Sequence, residues 1–171
     1  MATSEAWKKR LVAIADVTFG TAWANLDGLG IGAAAWSANI TTLEKAEFAR
    51  FFYQIKTGTA PTANKAFDFW ISQADDDATN EIRAGSELIG TASGTSTVTA
   101  DNDRVEMQLH NVHSQRVDAS ANKVYTGYFD VPDPGSDLTL WIRNNLDQAF
   151  NGTASPHRIH VIGYGPQGQA T

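Results

Sequence analysis

Phe48-Ala49-Arg50-Phe51-Phe52-Tyr53-Gln54-Ile55-Lys56-Thr57 is the stretch that decides the fold. Phe51, Tyr53 and Ile55 fall on one face and Arg50, Gln54 and Lys56 on the other, the period of two that marks a half-buried strand. Turn formers from Gly58 to Asn64 break it. Lys65 to Gln73 then resumes the pattern, with Phe67, Phe69 and Ile71 alternating against Ala66, Asp68 and Trp70. Further alternating segments run from Asp16 to Trp23, from Val105 through Met107 and Leu109, from Val124 to Val131, from Leu138 to Arg143 and from Arg158 to Tyr164. Gly, Asn, Asp and Pro clusters separate them, with Pro132-Asp133-Pro134-Gly135 and Asn151-Gly152 the clearest turns. Many short strands punctuated in this way predict an all-β, antiparallel β-sandwich or barrel.

One helical competitor is Thr41-Thr42-Leu43-Glu44, which matches a capping box. The aromatic run from Phe48 prefers a pleated surface, so one short turn is expected there. Residues 74–104 are polar and read as surface loop, with a short strand expected near Glu87 to Thr91 and the Thr91 to Thr97 run left as loop.

At 171 residues the chain fits one domain, able to bury roughly 70% of its unfolded surface. The expected division is an N-terminal arm over 1–14, a sandwich over 15–166 and a tail over 167–171. With 42% hydrophobic residues the chain is not disordered by composition. Nineteen acidic residues against 13 basic give a net charge of −6, which argues against tracking a phosphate backbone. Lys8-Lys9-Arg10 is too short a cluster to reverse that, so no nucleic-acid partner is expected. Without cysteine there is no disulfide framework, no thiolate zinc site and no Cys nucleophile. Leu11-Val12-Ala13-Ile14-Ala15 follows the basic cluster, but Asp16 ends the apolar run short of the about 7–15 residues a signal peptide needs. Nothing approaches the ~18 apolar residues of a membrane span, and no membrane partner is expected.

Candidate chemistry is sparse. Gly28-Leu29-Gly30-Ile31-Gly32-Ala33 fits the dinucleotide fingerprint G-x-G-x-x-A, but that motif works only between a strand and a helix, and Trp36, Ser37 and Asn39 arrive too soon for one. His110/His113 and His157/His160 are spaced for a helix face yet sit in or beside strands, where a separation of three points side chains to opposite faces. A metal site would need His110 and His160 on neighbouring strands. Asp75-Asp76-Asp77 and Asp101-Asn102-Asp103 lack the calcium-loop pattern. There is no G-x-S-x-G elbow. The expectation is a protein that is not an enzyme, with no metal and no cofactor. Of five tryptophans, Trp36, Trp70 and Trp141 are assigned to core or oligomer packing, in preference to stacking on sugar rings.

The Phe51-to-Lys65 stretch, Val117-Asp118-Ala119-Ser120-Ala121-Asn122-Lys123-Val124-Tyr125 leading into Tyr128-Phe129-Asp130-Val131, and Asn144-Asn145 followed by Gly152-Thr153-Ala154 together resemble small virion proteins of tailed bacteriophages. The resemblance covers most of residues 15–165. It implies a jelly-roll-like sandwich that decorates or cements a phage capsid, assembled in the host cytoplasm and resident in the virion. It also implies the major capsid protein as partner and a homo-oligomer, with a trimer favoured. The residues expected to touch the shell are Trp7, Lys8, Lys9 and Arg10. The rival expectations are a tail, baseplate or head-fibre component, and a carbohydrate-binding module.

Overall fold

A computed structural model describes residues 10–43, 45–73, 94–97, 109–135, 137–153 and 156–165. Among the described residues nine strands run in chain order: β1 (Arg10–Asp16), β2 (Ala33–Trp36), β3 (Phe48–Lys56), β4 (Ala66–Gln73), β5 (Gly94–Thr97), β6 (His110–Arg116), β7 (Val124–Pro132), β8 (Leu138–Asn144) and β9 (Arg158–Gly165). They form two antiparallel sheets. Sheet A has the order β1-β9-β3-β7 and sheet B the order β5-β2-β8-β4-β6. With β5 set aside, the other eight strands read 1-8-3-6 in one sheet and 2-7-4-5 in the other. That is the double Greek key of a jelly roll. The chain is an all-β jelly-roll sandwich.

The alternation in β3 and β4 builds the core. Phe51 and Ile55 of β3, Phe67 and Phe69 of β4 and Ile142 of β8 are fully buried between the sheets. Phe129 of β7 joins them, its ring centroid 5.2 Å from Phe51 and 5.0 Å from Phe69. Each such side chain removed from water contributes about 1.5–3 kcal/mol, and the ring pairs add about 0.5–1.5 kcal/mol each.

Two expectations about strands are corrected. The strand expected over Asp16 to Trp23 lies earlier, at β1, inside the stretch read as an arm. Val17 still bonds the carbonyl of Ile159, but Gly20 and Ala22 take positive φ and turn the chain. Val17 and Phe19 alternate into the core from that turn. Second, Gly94–Thr97 is not loop but strand β5, paired with Ala33 to Trp36. The sixth strand is described from His110. Residues 105–108 and the strand expected near Glu87 lie outside the described residues. The Thr41 region makes one turn, closed by Ala46 N–H on the Leu43 carbonyl.

Candidate interaction surface

The two sheets present unequal outer faces. In sheet B the antiparallel register aligns Trp36 of β2, Trp141 of β8 and Trp70 of β4 side by side. They point away from the main core and form a second cluster with Leu109 and Ala34. Trp36 and Trp141 lie 5.1 Å apart at the ring centroids and are only 7% and 3% exposed. The Trp141 indole N–H donates to Ser72 Oγ at 3.2 Å. The three tryptophans are gathered on the outside of a sheet rather than in the central core.

Sheet A is open. Register places Leu11, Tyr164, Phe48 and Pro132 in one row across its four strands, and Ile14, Ile162, Arg50 and Asp130 in the next. Asp16, His160, Phe52 and Tyr128 make the third. Ile14 is 66% exposed, Tyr128 56%, Leu11 48% and Phe52 37%. Phe48 and Tyr164 stack at 4.8 Å. One pair of opposite charges on this face is matched across strands. Arg50 grips Asp130 through two hydrogen bonds, Nε at 2.7 Å and Nη2 at 2.8 Å, and lies over the Tyr128 ring. The Asp130 partnership holds the Arg50 guanidinium above its ordinary range. His160 Nδ1 meets Asp16 at 2.5 Å. The result is an aromatic and aliphatic surface crossed by one matched ion pair. Its exposed apolar side chains make this face the candidate interaction surface.

Of the residues expected to touch a shell, Trp7, Lys8 and Lys9 lie outside the described residues. Arg10 opens β1, opposite Gly165 and next to the all-apolar row. Phe52 and Tyr128 were missed. Their signal was one aromatic apiece at a position that the alternation assigns to solvent.

The histidines do not converge. His110 is on β6 of sheet B and His160 on β9 of sheet A, so the neighbouring-strand arrangement fails. His157 is fully buried at one end of the sandwich. Its Nδ1 accepts from Lys56 N–H at 3.4 Å and its Nε2 faces the Asn151 carbonyl at 3.1 Å, the neutral arrangement. Burial pushes its pKa down, against the pull of the Asn151 carbonyl and the Asp27 carboxylate. Between the sheets, the Tyr53 hydroxyl donates to the Gln115 side-chain oxygen at 2.5 Å and meets His113 Nε2 at 3.0 Å. Burial lifts Tyr53 to about 12 and lowers His113. These are structural hydrogen bonds that satisfy polar atoms in a closed interior.

A cleft of about 630 Å³ lies beyond this cluster, lined in part by Ser72, Gln73, His110, Asp130 and Asp133. Gln73 is engaged by the Asp133 carbonyl and Asp130 by Arg50. Among the described residues no group of three or more His, Asp or Glu is placed to hold a metal. The Gly-rich Gly28 to Gly32 segment leads into β2 and not into a helix, so it cannot aim helix N–H groups at a pyrophosphate. Asp75-Asp76-Asp77 and Asp101-Asn102-Asp103 lie outside the described residues. No protein-family model and no curated protein matches the chain.

Proposed function

We propose that the chain is a non-enzymatic structural protein of a tailed-phage virion, which decorates the assembled head and holds it together by docking the outer face of sheet A on the major capsid protein. The observation that carries this is the open face itself, with Ile14, Phe52 and Tyr128 turned to solvent on a rigid sandwich. The phage setting comes from the sequence resemblance. The basic Lys8-Lys9-Arg10 cluster would give the acidic chain a local positive contact. A protein that binds assembled shell and not free subunits stabilises the shell by mass action. Repetition over the shell multiplies weak contacts, as it would for a homo-oligomer, trimer or otherwise.

Trp36 and Trp141 are too buried to stack on a sugar ring, which favours packing over a carbohydrate module. The decisive measurement is a pair: copies per particle in purified virions, and rebinding of purified protein to heads stripped of it. Hundreds of copies, together with rebinding that Tyr128→Lys abolishes while leaving the melting curve intact, are expected. A few to tens of copies move the protein to the tail or to a fibre, and unimpaired rebinding by Tyr128→Lys removes sheet A from the docking role.

A further inference from the structure

We infer that the β1 edge of sheet A is a homodimer interface, in which β1 pairs antiparallel with β1 of a second copy about a two-fold axis at Ala13. The inference stands without the virion reading, because it uses only the edge strand. Among the described residues β1 has one ladder partner, β9, and no described strand pairs with its other edge. Natural edge strands are blunted by Lys, Pro or inward charge. Between its end residues, Leu11 to Ala15, β1 carries none of these. Its one irregularity is a bulge between Leu11 and Ala13.

A second copy is the occupant that the strand's own sequence complements. Arg-Leu-Val-Ala-Ile-Ala-Asp opens on a cation and closes on a carboxylate. Antiparallel self-pairing therefore sets each basic end beside the acidic end of the other copy, twice. Ala13 falls opposite its own counterpart, the small side chain that a two-fold axis through a strand pair admits. The bulge brings Leu11 one step closer to Ala13, as it does against Gly163 and Tyr164 of β9. Leu11 then faces Ile14 across the axis. These two carry high exposure on the described part of the strand, and the pairing covers both of them in both copies. Isologous contact of this kind is what a two-fold dimer requires. It also fuses the two four-stranded sheets into one, so that both open apolar faces lie side by side.

The absence of cysteine gives a clean test. Cross-strand partners sit about 4.5–5.5 Å apart at Cα, within disulfide range. Ala13→Cys is expected to give a disulfide-linked dimer under mild oxidation, at least about tenfold faster than Thr126→Cys, a control on β7 at the far edge of the same sheet. Sedimentation equilibrium of the wild-type full chain is expected to show a dimer, and Ile14→Lys to weaken it at least about tenfold (about 1.4 kcal/mol) with an unchanged melting curve. A wild-type monomer at about 100 μM, a trimer indifferent to Ile14→Lys, or equal cross-linking at positions 13 and 126 would each overturn the inference. Failure of shell rebinding with an intact dimer would instead count against the proposed function alone.

Discussion

Gly127 of β7 sits directly across from Tyr53 of β3, and the tyrosine occupies the space where a side chain would be. A Cβ at Gly127 would lie 2.4 Å from the Tyr53 hydroxyl and 2.7 Å from its Cζ, well inside contact distance. The ring cannot simply swing away. It is buried, with centroids 4.7 Å from Phe69 and 5.5 Å from His113, and its hydroxyl is tied to Gln115 and His113. Gly127→Ala therefore costs two hydrogen bonds at about 1 kcal/mol each and core overpacking of about 1–3 kcal/mol, roughly 3–5 kcal/mol in all. For a chain of this size that lowers the melting temperature by about 6–20 °C. Urea denaturation gives the free energy and thermal melting the temperature. Because removing the hydroxyl relieves the closest contact, Gly127→Ala should cost less in a Tyr53→Phe background than in wild type, though not nothing, since the ring carbons remain. A Gly127→Ala protein within about 0.5 kcal/mol of wild type, or strict additivity in the double mutant, would show that Tyr53 is not held where the packing places it.

Acid should destabilise the fold in a defined window. His157 and His113 are both held below the ordinary imidazole value, chiefly by burial. Above about pH 6.5 both are neutral folded or unfolded, and stability is at its full value. As pH falls through that point the unfolded chain binds protons that the folded chain resists, so stability declines until the folded values are passed. The slope is at most about 1.4 kcal/mol per pH unit for each histidine, and less for the half-buried His113. Urea midpoints between pH 7.5 and 5 should show this, with a shallower slope in His157→Gln; an unchanged slope would exclude His157 as the source. Asn144 is fully buried, and its side chain donates to the carbonyls of Leu29 and Gln148 and accepts from Leu146 N–H. Asn144→Ala strands these backbone groups and should cost about 2–4 kcal/mol in urea denaturation, whereas a loss under about 1 kcal/mol would mean that the three segments do not depend on it.

The strands legible in the sequence are those buried on one face by large residues and open on the other. Phe51, Tyr53 and Ile55 in β3, and Phe67, Phe69 and Ile71 in β4, alternate because sandwich packing requires it. β1 was hidden for a physical reason. Leu11 to Ala15 is apolar at every position, since its inward alanines and its exposed Leu11 and Ile14 are alike to a pattern of hydrophobicity, and the bulge breaks the period. β5 is Gly-Thr-Ser-Thr, which has loop composition and is a strand only because β2 pairs with it. β6, His110 to Arg116, is a polar edge strand without a clear buried face. The Trp36, Trp141 and Trp70 row, like the sheet A face, depends on register between strands distant in sequence. A single strand announces Phe52 or Tyr128 as one misplaced aromatic; only the sheet shows that they are neighbours.

The contrast between the two outer faces gives the sandwich a direction. Sheet B spends its outward aromatic residues on itself: Trp141 is buried, hydrogen-bonded to Ser72 and packed on Trp36, and β8 is covered along almost its whole length. Sheet A leaves comparable side chains in water while Arg50 pairs with Asp130 across its strands. Leaving Ile14, Phe52 and Tyr128 exposed forgoes the roughly 25 cal/mol per Å² that their burial would contribute. The same chain achieves that burial one sheet away, so exposure is not imposed by the jelly roll as such. The Arg50–Asp130 pair asks little desolvation of charge from whatever covers it, because each group already holds the other. Such a face binds through shape and apolar contact, and the open β1 edge at its border determines which way a second copy extends it.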